Sequence, residues 1–103
     1  MPTVWLGNAQ VDYSYTHGSG ADPSSLVIEW GSSPGVYTST YQIPIANVPG
    51  SSMLLPMGIT TAGTYYMRAR ATDGAQSWAH TAEQTVIVET AYTGQSRVIL
   101  FVI

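Results

Sequence analysis

The stretch 59–73 starts with a turn rich in Thr and Gly and becomes a run that alternates apolar and polar side chains with a period of two. Tyr65, Met67, Ala69 and Ala71 fall on one side, and Tyr66, Arg68, Arg70 and Thr72 on the other. Successive side chains of a strand point to opposite faces, so this spacing predicts a strand with one face on a core. The same alternation predicts strands at 9–16 (Val11, Tyr13 and Tyr15 against Asp12, Ser14 and Thr16) and at 26–30 (Leu26, Ile28 and Trp30 against Val27 and Glu29). It predicts another at 81–90, with Val86 and Val88 set against Thr85, Ile87 and Glu89. Less regular runs at 3–6, 36–45 and 51–55 are also expected as strands, Pro44 marking an edge or a strand end because it cannot donate to a ladder. Turn formers separate them: Gly18, Gly20 and Pro23 in a loop over 17–24, Pro34-Gly35 in a turn that suits type II, a turn at 47–50, and Asp73-Gly74. No window long enough for an ordinary helix escapes interruption by Gly, Pro, Ser or Thr.

The stretch 97–103 breaks the alternation. Val98, Ile99, Leu100, Phe101, Val102 and Ile103 follow one another without a polar face. A strand covered on one side alternates, whereas a wholly apolar one wants cover on both faces or a sheet edge to join. Two arrangements fit. The run closes the domain's own sheet, or it docks on a neighbouring subunit by strand addition, together with or in place of Val4, Trp5 and Leu6. Left free, such a β-prone, uncharged segment would be prone to aggregate.

Counted together, these are seven strands before the last one, at roughly the 8–12-residue spacing of an immunoglobulin-like sandwich. The expected fold is therefore all-β: an antiparallel sandwich of about seven strands with a C-terminal extra strand. The 103 residues suffice for one domain with a core, 1–103, in which 1–8 and 91–103 are terminal segments available for assembly contacts.

Composition narrows the function more than the fold. Charged residues make up only 9% of the chain, Lys is absent, and Arg68, Arg70 and Arg97 are the only basic residues besides the two histidines. A nucleic-acid binder needs a basic face to neutralise phosphates, so that class is disfavoured. With no cysteine there is neither a disulfide framework nor a Cys-based metal site. The start of the chain lacks the basic and long apolar regions of a secretory signal, and 98–103 is too short to span a bilayer.

A search for chemistry finds little. There is no nucleophile elbow, phosphate-binding loop or dinucleotide fingerprint. His17 and His80 are far apart in sequence and read as surface histidines rather than zinc ligands. The acids Asp12, Asp22, Glu29, Asp73, Glu83 and Glu89 are scattered, without the clustering that calcium or paired-carboxylate catalysis would want. No catalytic, cofactor-binding or metal residue is assigned, and the chain is expected to be non-enzymatic. Trp30 is expected in the core. Trp78 is expected to pack, stacking on Arg68 or Arg70, with an exposed binding role as the alternative. Tyr13, Tyr15, Tyr37 and Tyr41 would suit a glycan-binding surface, but strand alternation accounts for them equally well.

From about Ser24 to Val88 the chain resembles a fibronectin type III domain. Leu26-Val27-Ile28-Glu29-Trp30 is similar to the Trp-bearing second strand of that family, and Ile59 stands six residues before Tyr65, the spacing of its tyrosine corner. Tyr65-Tyr66-Met67-Arg68-Ala69-Arg70-Ala71 is similar to the strand that follows. Thr61 stands where the corner usually has Pro, the middle of the domain is short, and the tail after Thr90 has no counterpart. The short form resembles those of bacterial accessory modules and phage structural proteins. The resemblance implies fold far more than function. Joined to the scarcity of charge and the apolar end, it gives the expectation of a virion component, such as a capsid decoration protein made in a host cytoplasm, whose partners are other protein subunits. The alternative is an extracellular accessory module serving as a spacer or weak carbohydrate binder through Tyr37, Tyr41 and Trp78.

Overall fold

The computed structural model describes residues 2–7, 9–14, 23–45, 53–77, 79–94 and 98–102. They form seven strands in two sheets, facing each other as a sandwich. The strands are β1 (Thr3–Trp5), β2 (Gln10–Ser14), β3 (Ser25–Gly31), β4 (Ser39–Pro44), β5 (Gly63–Thr72), β6 (Gln84–Glu89) and β7 (Val98–Val102). The larger sheet has the order β1-β6-β5-β3-β4, and the smaller pairs β2 with β7. Val4, Leu26, Ile28, Ile43, Met67, Val86 and Val88 meet Val11, Ile99 and Phe101 in one apolar core.

The alternation read along β5 is realised. Met67, Ala69 and Ala71 are buried, while Arg68 and Arg70 lie on the outer face. Register then ties β5 to β3, with Leu26 opposite Ala71, Ile28 opposite Ala69 and Trp30 opposite Met67. Pro44 ends β4, which is an edge strand, as its missing N–H requires. Gly35 turns the chain with a φ of 72°, the left-handed conformation that the third residue of a type II turn needs. Asp73 closes the β5 exit by accepting the N–H groups of Ala75 and Gln76 at 2.9 and 2.8 Å.

The tyrosine corner is present. The Tyr65 hydroxyl donates to the Thr61 carbonyl oxygen at 2.7 Å, and its ring meets the edge of Trp30 with centroids 5.7 Å apart. Ile59 lies beneath it in the core. Tyr65→Phe keeps the ring and loses the bond, and is expected to lower stability by about 0.5–1.5 kcal/mol in urea unfolding. An unchanged midpoint would show that the hydroxyl does not hold the corner. Trp30 is half-buried against the core, its Nε1 enclosed without an acceptor among the described residues.

Several expectations need correction. Residues 54–57 are not a strand. Leu54–Met57 is a single helical turn, α1, so the described residues hold seven strands rather than seven plus one. Leu54 and Met57, three apart, share the face that caps the core. Pro56 is tolerated within a first turn, where backbone N–H groups lack helical partners anyway. Gly58 stops the turn with φ 98°, and the Ile59 N–H returns to the Leu54 carbonyl at 2.9 Å. Residues 51 and 52 of the expected strand, and the turn at 47–50, lie outside the described residues.

The sandwich is also not wholly antiparallel: β1 runs parallel to β6, and β2 runs parallel to β7. Parallel neighbours need a long connection between them, and here the body of the domain supplies it. The N-terminal β1–β2 and the C-terminal β6–β7 therefore cross from one sheet to the other side by side. Trp30, likened above to the second strand of a fibronectin type III domain, stands on the third, hydrogen-bonded to the strand that carries Tyr65.

Candidate interaction surface

On the outer face of the larger sheet, the β3–β5 register sets Glu29 opposite Arg68, next to Val27 opposite Arg70. Arg68 Nε donates to Glu29 Oε1 at 2.7 Å, and His80 Nε2 reaches the same oxygen at 3.0 Å. The arginine also lies over the Tyr37 ring, 4.3 Å from its centroid, a cation–π contact. Tyr37 then donates its hydroxyl to Glu83 at 2.6 Å, and the Gly35 N–H reaches the same carboxylate at 2.7 Å. The segment bearing His80 is stitched to β5 before β6 begins: the Thr81 N–H donates to the Ala69 carbonyl at 2.8 Å, and Thr81 Oγ1 accepts the Ala69 N–H at 3.0 Å.

This network clasps the β3–β4 hairpin and the segment before β6 onto the sheet. Its charges answer one another. Among the described residues no three His, Asp or Glu side chains converge as metal ligands would. The Tyr37 hydroxyl, with the Gly35 N–H second, holds the Glu83 carboxyl below its ordinary value near 4.5, and the same bond raises Tyr37. Because the folded pKa of Glu83 is depressed, its contribution to stability is complete above the ordinary carboxylate value and is lost as pH falls through the folded one. Melting curves from pH 7 down to about pH 3 should therefore fall less steeply for Glu83→Gln than for the parent chain. Equal slopes would remove Glu83 from the acid response.

The aromatic and histidine expectations are redistributed. Tyr37, not Trp78, is the ring described against Arg68; Trp78 and His17 lie outside the described residues, as does Tyr15. Tyr41 sits opposite Ile28 and packs against the core, on the other side of the sheet from Tyr37. The two tyrosines therefore do not share a face on which to stack a sugar.

The terminal segments divide in the same way. Val4 is fully buried in β1, Leu6 packs against the core, and Trp5 rests on Tyr92 with centroids 4.7 Å apart. In β7, Ile99 and Phe101 point into the core and Val98 is half-buried. Leu100 and Val102 point outward, 48% and 66% exposed. Ile103 lies outside the described residues. Of the two arrangements open for the C-terminal run, the structure shows β7 paired inside its own chain, along β2 from Val98 to Val102. Among the described residues its far side is a sheet edge. There a groove of about 200 Å³ runs between Leu100, Phe101 and Val102 on one wall and Thr81 to Gln84 on the other. One bond spans it: Gln84 Nε2 donates to the Leu100 carbonyl at 3.1 Å.

This edge and the groove beside it bring the exposed Leu100 and Val102 side chains together on the outer face of one strand. The sequence showed that 98–103 lacks a polar face, but not which residues face outward, since both alternating sets are apolar.

Comparison with protein-family models, with curated proteins and with solved structures gives no match. No helix among the described residues is long and apolar enough to cross a membrane.

Proposed function

We propose that the chain is a non-enzymatic assembly module that works by docking on other protein subunits. The observation that carries this reading is the β7 edge, where Leu100 and Val102 stay exposed on an uncharged strand. Natural sheet edges are usually blunted by charge, proline or shortness, so an edge without these devices fits one that is covered in use. The supporting composition is that of a large, lasting interface, whose core is depleted in charge. Within this reading the finer identity is an immunoglobulin-like, fibronectin type III-like domain acting as a virion component, such as a capsid decoration protein. The corner at Tyr65 and the adjacent Trp30 strand support the domain type. Repeated weak contacts on a lattice would suit a small module of this kind.

The test is to purify particles from cells that carry the gene and to weigh the chain's share in them. The chain should band with the particles in a fixed ratio, and Leu100→Lys with Val102→Lys should release it while leaving its melting temperature close to the parent's. Absence of the parent chain from every particle fraction overturns the virion reading. Point changes are the fair comparison here. Removing 97–103 would also take Ile99 and Phe101 out of the core, and would report on folding instead of docking.

A further inference from the structure

The open edges of the two sheets are not alike. β1 is three residues long, β4 ends in Pro44 and exposes Thr40 and Gln42, and β2 turns Gln10, Asp12 and Ser14 to its outer side. Each of these carries a device that discourages edge pairing. β7 carries none: it has no charge, no proline and no bulge in its pairing with β2.

The backbone of β7 is turned to receive a strand. The Leu100 carbonyl accepts from Gln84, across the groove from β2. In an extended strand the N–H and C=O of one residue point to the same side, and the side alternates at each residue. Leu100 and Val102 therefore both direct their backbone groups to the open edge. Their side chains lie together on the outer face, and Gln84 supplies one of the bonds that a neighbouring strand would make.

We infer that this edge pairs with the β7 edge of a second copy of the chain, antiparallel about Phe101. The strand is self-complementary in this register. Leu100 stands opposite the second copy's Val102, and Val102 opposite its Leu100, each pairing exchanging both backbone bonds. The exposed apolar side chains cover one another, and no charge on β7 meets its like. The acid of the smaller sheet, Asp12, is opposite Leu100 on β2, while Glu83 on the groove's other wall is held by Tyr37 and Gly35. In the joined order β2-β7-β7-β2, the two Asp12 side chains are three strand spacings apart and two residues out of step, roughly 16 Å. That exceeds the screening length of about 8 Å at physiological salt, so their repulsion is weak. An edge contact is small beside the roughly 1,200–2,000 Å² of a lasting interface, so the pair forms at high local concentration and separates on dilution. Gln84 competes for the Leu100 carbonyl and weakens it further. This goes beyond the assembly reading by naming one of the partners.

Sedimentation equilibrium of the full chain tests it. The average mass should rise from monomer toward dimer between about 10 µM and about 1 mM. Val102→Lys places like charges beside the pairing and should weaken association about tenfold or more with an unchanged melting temperature. Gln84→Ala frees the Leu100 carbonyl and should strengthen it several-fold. A chain that stays monomeric to about 1 mM overturns the pairing, as does a dimer indifferent to Val102→Lys. Association that falls with Val102→Lys but does not respond to Gln84→Ala overturns the edge register in favour of face contact. A monomer still recovered in particles would refute this pairing and leave the assembly reading standing.

Discussion

Phe101→Ala is expected to lower the unfolding free energy by about 3–5 kcal/mol, read as a shift of the urea midpoint at constant slope. Phe101 is the only phenylalanine in the chain and is 1% exposed. It sits opposite Tyr13 of β2 and reaches across to the larger sheet's core residues. Truncation removes the ring's transfer free energy and leaves a cavity between two sheets that cannot collapse independently. Domains of this size are stable by only about 5–15 kcal/mol, so a large share of the total is at stake. The neighbouring position supplies the control. Val102→Ala, one residue on and 66% exposed, should change stability by less than about 0.5 kcal/mol. The contrast is what distinguishes a strand built into its own domain from a loose tail. Equal, small effects at both positions would mean that β7 is not part of the core.

How far such assignments could be read from sequence depended on whether the deciding information was local. The alternation of β5 held because Met67, Ala69 and Ala71 differ in polarity from Arg68 and Arg70, so the pattern named both strand and face. The spacing from Ile59 to Tyr65 likewise placed the corner, since its bond closes over four residues. In β7 the pattern named the strand but not the face, because Ile99 and Phe101 are no more apolar than Leu100 and Val102. The parallel pairing of β7 with β2 joins residues from opposite ends of the chain, and nothing within either segment encodes it. The helical turn α1 was legible in retrospect: Leu54 and Met57 at a spacing of three, with Gly58 behind them, are helix and stop signals that Met53-Leu54-Leu55, read as a strand, obscured. The outer network was hidden for the same reason as the pairing. Glu29 meets Arg68 across 39 positions and Tyr37 meets Glu83 across 46, through a register only the fold defines.

Gly31→Ala is the second large effect expected, and it arises from contact rather than from backbone conformation. Gly31 ends β3 in the larger sheet, buried, where the chain turns back toward β4. A Cβ built there would overlap the Val36 carbonyl oxygen and come within 3.2 Å of its carbonyl carbon. The obstruction is backbone, held by the Val36 N–H to Ser33 carbonyl bond at 3.2 Å and the Thr38 N–H to Trp30 carbonyl bond at 3.1 Å. It cannot swing aside as a side-chain tip would, so the hairpin must move, at a cost of about 1–3 kcal/mol. Tyr37 lies between these two anchors and moves with them. Its seat under Arg68 and its bond to Glu83 are then disturbed, and the Glu83 carboxyl should titrate nearer its ordinary value. Gly35→Ala separates the two causes. There a Cβ meets open space, but φ is 72°, so the penalty is conformational, about 1–2 kcal/mol. Thermal melts together with a carbon-detected titration of Glu83 decide the matter. Gly31→Ala should show both the lower melting temperature and the raised Glu83 pKa. A Gly31→Ala chain as stable as the parent, with Glu83 unmoved, would mean that the hairpin does not approach β3 so closely.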